Sequence, residues 1–449
     1  MGQVAFYIVV AVGAKYFLLS RRGFDFFSLA FVSSCVYFMP GFFGYVYEIN
    51  RFGHHTTDIV PECYWVMNFV LCGIWIGGRL FDRSLRVRKT LPAAPFDIKL
   101  KPAAYWGALL GLLGMLMTWN TVGDALLTLT KSEFMPLLDR WQIVWETFAL
   151  VGIVLAWASR QLGAFSICAA LIAADLYVGF RVTAGLAVIA IFVYELSKKG
   201  KFVLVGDWKS GFLGVIAVGF FFLYNGITWF IKERLWHAVS TKLEDPEFYL
   251  GQITWSEPFV VQSILNKVID VQFKVGGTHL SGLVYLALPY SDLLGAQPHG
   301  FNDLFQRALF PDVKFGLANS FWAEAWSVGG WIMLALYVIV YLLGLWLGSR
   351  MVRSEQNVQR LFAAIFFTPW AFYIHRNDMI YQLTMQRRVF FGFAGCALLT
   401  LIVPRRRHLP LPQNPVEEIT PRGSTALRRR PASPLYASAL SGKKENNSS

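Results

Sequence analysis

Four residues combine reactive chemistry with a constrained place in the chain: Arg181, Arg376, Glu324 and His279. Arg181 stands in Gly179, Phe180, Arg181, where one apolar run ends and the next begins, so no loop lets it wander. Arg376 stands in Tyr373, Ile374, His375, Arg376, Asn377, Asp378, at the end of a later apolar run. A guanidinium is planar, permanently charged and forked, which suits bidentate binding of phosphate or pyrophosphate oxygens. Plainer pairings compete with that reading. Asp175 is the candidate for Arg181, although six residues along a helix is not a facing spacing, and Asp378 is the candidate for Arg376. Glu324 lies just ahead of a strongly apolar run, where partial desolvation would suit it to proton transfer. Its plainer role is a negative charge in a helix's first turn. His279 follows Gly276, Gly277 and Thr278, and is a candidate base on permissive backbone or else a loop histidine without chemistry.

The elements that hold these residues are set by composition. Of 449 residues, 55% are hydrophobic, 16% aromatic and only 15% charged, which exceeds the apolarity of a soluble domain. The expectation is an all-α, polytopic integral membrane bundle of about eleven spans, at roughly 20 apolar residues each. The apolar runs lie near 4–19, 26–47, 64–81, 103–120, 141–158, 162–180, 182–196, 211–231, 325–348, 361–375 and 389–403. Alternate loops carry the basic residues, among them Arg83, Arg86, Arg88, Lys198, Lys199 and Arg350, and are therefore assigned to the cytoplasm. That assignment puts the N-terminus outside and the tail inside. It also accounts for the net charge of +13 without nucleic acid.

The chain divides into a first set of spans, 1–231, a long external loop, 232–316, a second set, 317–404, and a basic, Pro- and Ser-rich tail, 405–449, with little to bury. Nine carboxylates and the histidines His237, His279 and His299 fall within the loop. In it, Ser256 as N-cap and Pro258 in the first turn predict a helix with Phe259, Val260, Ile264, Leu265, Val268 and Val271 on one face, lying on the membrane surface or capping the bundle. Glu146 and Glu195 read as structural ions. His54, His55, Asp58 and Glu62 have metal-ligand types but no closed ligand pattern, and the five cysteines form no CxxC knuckle. No Walker A, GxSxG or strand-to-helix GxGxxG motif supports nucleotide-driven chemistry.

Gly179, Phe180 and Arg181 between spans, the long external loop, Glu324 ahead of paired glycines in Gly316 to Gly330, and Arg376 at a late outer turn together resemble the O-antigen polymerase (Wzy-type) family, over roughly residues 1–405. Gly329 and Gly330 are adjacent where the family pattern would space them. The resemblance implies a bacterial inner-membrane glycosyltransferase that elongates undecaprenyl-diphosphate-linked oligosaccharide repeat units at the periplasmic face. Arg181 and Arg376 would bind the diphosphate, with Glu324 or His279 as base. It implies no cofactor and no obligatory metal. Its partners would be the lipid-linked oligosaccharide, membrane lipids and a chain-length regulator. An O-antigen ligase, a glycosyltransferase using a lipid monophosphate donor, and a polysaccharide flippase are the alternative readings.

Overall fold

The computed structural model describes residues 1–20, 22–50, 53–87, 99–128, 137, 139–198, 201–202, 244, 256–276, 278–287, 300–311, 313 and 317–402. All lie in one compact unit, Met1–Val403. The expected span at 211–231 and the tail fall outside the described residues. The chain is mostly helical and is a membrane protein by the length and apolarity of its helices. Among the described residues six are long and apolar enough to cross a bilayer: Gly2–Leu19, Pro61–Leu85, Leu100–Val122, Arg140–Ala158, Phe321–Val352 and Met379–Ile402. Phe26–Tyr37, Leu162–Val178 and Val182–Ser197 are apolar but shorter.

Two expected spans change shape. The run 26–47 stops being helical at Tyr37. A short turn, Pro40–Phe43, is closed by Gly44 in the left-handed region at φ 87°, and the chain then enters a hairpin, Tyr45–Asn50 against Gly53–Asp58, in register Tyr45↔Asp58 and Glu48↔His55. Proline cannot continue a hydrogen-bonded helix, and the left-handed glycine redirects the chain.

The run expected at 325–348 begins at Phe321 and breaks at Gly329 and Gly330. Along a straight helix Phe321 and Tyr337 would stand about 24 Å apart, at 1.5 Å per residue. Their ring centroids are 4.8 Å apart, those of Trp322 and Tyr341 5.6 Å, and those of Trp326 and Trp331 5.1 Å. Residues 321–328 therefore form a short helix folded back along the start of the span. Gly330 makes the reversal at φ 57°, ψ −138°, and a Cβ at Gly329 would collide with Met333.

Small residues set the closest helix pair. A Cβ on Gly107 would come within 2.6 Å of the Gly152 Cα, and one on Gly114 within 2.5 Å of the Trp145 nitrogen, so Leu100–Val122 and Arg140–Ala158 meet backbone to backbone. The Phe26–Tyr37 helix, about 18 Å long at 1.5 Å per residue, joins two polar clusters. At its start Asp25 accepts both forks of Arg22 at 2.9 Å and Arg353 at 2.5 Å, while Arg22 also bonds Asp82 at 2.8 Å. At its end Tyr37 reaches Glu257.

Gly330→Ala is expected to destabilise the protein by about 1–3 kcal/mol, the cost of holding a Cβ-bearing residue in a glycine-only backbone region. The thermal midpoint of detergent-purified protein checks this. An unchanged midpoint would mean that the fold-back does not depend on that glycine.

Candidate functional site

The helix expected after Ser256 is present as Glu257–Asp270. Ser256 makes no side-chain cap, because Pro258 has no N–H and the Phe259 N–H bonds the Ser256 carbonyl at 3.1 Å. The helix is buried on nearly all sides, Gln262, Ser263 and Asn266 included, while Val271 falls beyond its end and is exposed. It thus packs against the rest of the chain on nearly all its faces. The Gln262 amide donates to Cys63 Sγ at 3.0 Å. Asn266 accepts from the Val60 N–H at 2.9 Å and donates to the Asp58 carbonyl at 3.2 Å.

At the head of this helix Glu257 receives two arginines on a single oxygen. Arg181 Nη2 and Arg376 Nη1 both donate to Oε1, and the Tyr37 hydroxyl donates to Oε2 at 3.2 Å. The carboxylate side chain is only 6% exposed, whereas each arginine side chain keeps 22% of its surface open. Burial alone would raise the Glu257 pKa, but Arg376 and then Arg181 outweigh it and hold the carboxyl below its ordinary value. The two arginines singled out from the sequence are thus brought together, and the acid between them was not anticipated. The signal was present in Glu257, Pro258, Phe259, Val260, Val261: a carboxylate heading an apolar run needs a partner.

His279 and Glu324 also meet. His279 Nε2 lies 2.7 Å from Glu324 Oε1, and the Met379 N–H donates to Oε2 at 2.7 Å. Glu324 is fully buried on the folded-back helix, one turn after Ser320, whose hydroxyl caps the Ala323 N–H at 3.4 Å. Burial pushes the His279 pKa down, but the Glu324 hydrogen bond and charge, helped by Asp378, carry it above its ordinary value. Asp378 caps the Met379–Ile402 helix, accepting from the Tyr381 N–H at 2.6 Å and the Phe301 N–H at 2.8 Å. Its carboxyl pKa is raised, chiefly by burial. The alternative Arg376–Asp378 pairing gives way to Arg376–Glu257 and an Asp378 that caps a helix.

The two pairs draw on one stretch of chain: Arg376 and Met379 are three residues apart, so their Cα atoms are separated by at most about 11 Å. A buried chain also joins them. Trp322 Nε1–H donates to His375 Nδ1 at 2.8 Å, and because tryptophan only donates, the other nitrogen, Nε2, carries the proton toward Ser34 Oγ at 3.1 Å. The His375 ring stacks on Tyr37 at 5.4 Å, and Tyr37 holds Glu257.

Glu195 ends its helix beside Lys198 at 2.8 Å and Trp157 at 2.9 Å, and Glu146 accepts from Gln142 at 2.9 Å. Among the described residues no group of three or more His, Cys, Asp or Glu side chains is arranged to hold a metal ion. Comparison with protein-family models, with curated proteins and with solved structures finds no match.

These shifts fix a stability window. His279 titrates above its ordinary 6.5 in the folded state, so its contribution is full below 6.5 and lost as pH rises through the folded value. Glu257 titrates below its ordinary 4.5, so its contribution is full above 4.5 and lost as pH falls through the folded value. His279→Gln is expected to flatten the alkaline limb of the melting profile and leave the acid limb in place. An alkaline limb unchanged in that variant would remove the His279–Glu324 coupling as its source.

Proposed function

We propose that this chain is a membrane glycosyltransferase that polymerises undecaprenyl-diphosphate-linked oligosaccharide repeat units at the periplasmic face of a bacterial inner membrane. One observation carries the reading: a single short stretch, Arg376 to Met379, contributes both to two arginines fixed on one carboxylate and to a histidine–carboxylate pair, and a diphosphate leaving group and an attacking hydroxyl need those two kinds of assistance. No comparison contributes to it. The sequence resemblance and the convergence of Arg181 with Arg376, and of His279 with Glu324, support it.

In the proposed step, the hydroxyl oxygen of a newly delivered repeat unit bonds to the anomeric carbon of the growing glycan. The anomeric C–O bond to the lipid diphosphate breaks, and the electron pair leaves with the diphosphate. The arginines offset the negative charge that develops there. The hydroxyl proton passes to the base. Both Glu324 oxygens are engaged, one by His279 and one by the Met379 N–H, so Glu324 suits the role of holding the imidazole and stabilising its charged form. His279 Nδ1 is then the proton acceptor. The basic loops and the tail face the cytoplasm in this reading, and the Glu257 end of the bundle faces the periplasm.

Deletion of the gene is expected to leave lipid core bearing a single repeat unit and to abolish long chains in gel profiles. A ligase would instead leave bare core with lipid-linked polymer accumulating, and undiminished long chains would overturn the polymerase reading. A base must be unprotonated, so the rate should fall as pH drops through an apparent pKa above 6.5, the ordinary histidine value. His279→Gln is expected to slow polymerisation about 10²- to 10⁴-fold. Glu324→Gln should move the inflection to lower pH. A pH profile untouched by both variants would exclude the pair as the base.

A further inference from the structure

We propose that Glu257 is the positioning residue of the site: it holds the Arg181 and Arg376 guanidinium groups side by side on one oxygen, so that together they form a single seat for a pyrophosphate group. This inference deepens the reading above and rests on it for the identity of the bound group. Helix packing brings the two backbones near, since a Cβ on Gly185 would lie 2.8 Å from the Tyr373 hydroxyl, but two guanidinium groups repel each other and packing alone does not set their forks side by side. Arg181 precedes the Val182–Ser197 helix, and Arg376 ends a single turn, Tyr373–Arg376. A shared carboxylate oxygen removes the repulsion and fixes one edge of each fork. The carboxylate is sealed while both arginines keep exposed surface, so a ligand reaches the guanidinium groups before it reaches the carboxylate.

A competing role is that of a plug, in which Glu257 occupies the seat and must leave when an anion arrives. The surroundings argue against movement. Glu257 heads a helix buried on nearly all sides and pinned through Gln262 and Asn266 to the Asp58–Cys63 segment. Its second oxygen is held by Tyr37, which stacks on a histidine that is itself hydrogen-bonded to Trp322 and Ser34. Trp322 lies two residues from Glu324, so the same chain registers the arginine seat against the histidine–carboxylate pair.

Charge and geometry predict opposite outcomes for Glu257→Gln. Removing a negative charge next to the seat should strengthen anion binding if only Coulomb attraction matters. If Glu257 positions the arginines, binding should weaken despite the gain in positive charge. Calorimetric titration of inorganic pyrophosphate into the detergent-purified full-length chain, at fixed ionic strength, decides between them. We expect salt-sensitive binding by the wild type. Arg181→Ala or Arg376→Ala should weaken it about tenfold or more, and Glu257→Gln should do likewise through lost preorganisation. The melting temperature measured on the same samples separates positioning from folding, since a purely structural role would lower it without changing the affinity of the folded protein. Tyr37→Phe removes only the hydrogen bond to Oε2 and should weaken binding about threefold, which keeps the test open if Glu257→Gln does not fold. Equal or tighter binding by a folded Glu257→Gln, or by Tyr37→Phe in its place, overturns the inference. So does wild-type binding that is absent or indifferent to both arginine variants. Loss of the polymerase reading would appear separately, as unchanged surface glycan in the deletion strain while pyrophosphate binding persists.

Discussion

A buried carboxylate costs several kcal/mol unless charge and hydrogen bonds replace its water, and Glu257 meets that demand with side chains from three distant parts of the chain. Tyr37, Arg181 and Arg376 all converge on it, from the end of one helix, the turn between two others and the turn before the last. The consequence is architectural as well as electrostatic. The Glu257–Asp270 helix cannot shift without exposing or orphaning Glu257, and the helix ends that carry the arginines cannot separate without leaving cations beside a dry bundle.

The fold-back at Gly329 and Gly330 supplies the second constraint. Had the chain continued as one helix, Glu324 would stand more than a turn ahead of Gly330 and the rings of residues 321–326 could not pack back on the span. Reversal lays residues 321–328 against the span, and the ring contacts of Phe321, Trp322 and Trp326 hold them there. Glu324 is thereby fully buried, within reach of His279 and of the Met379 N–H. The same helix delivers Trp322 to His375, so one short element fixes the acid of one pair and, through Tyr37, the acid of the other.

The far end of the Phe26–Tyr37 helix is tied by different chemistry. Arg22, Arg353, Asp25 and Asp82 form a balanced network of two cations and two anions, closed by bidentate contacts and by the Tyr16 hydroxyl on Asp82 at 2.5 Å. Its charges cancel. At the Glu257 end two arginines instead share one carboxylate oxygen, and the Tyr37 hydroxyl takes the other, so one short helix links two ion clusters of different construction.

Composition and apolar run length determined that this is a helical membrane protein, because a bilayer leaves the backbone no partner but its own helix. Placement of charge beside apolar runs also drew attention to Arg181, Arg376 and Glu324, whereas His279 stood out only as a histidine on permissive backbone in the long loop. The sequence marked the helix after Ser256 as well, by a cap position, a first-turn proline and apolar spacing, but not that it would be buried on nearly every side. Tertiary structure alone decided the pairings. Arg181 lies 76 residues from Glu257, Arg376 lies 119 residues away, and His279 and Glu324 are 45 apart, separations across which no periodicity specifies a contact. It also decided the shape of two apolar runs, turning one into a helix and hairpin and folding another back on itself. Run length reports how much chain avoids water, whereas the direction of that chain depends on a left-handed glycine and on the rings it must pack against.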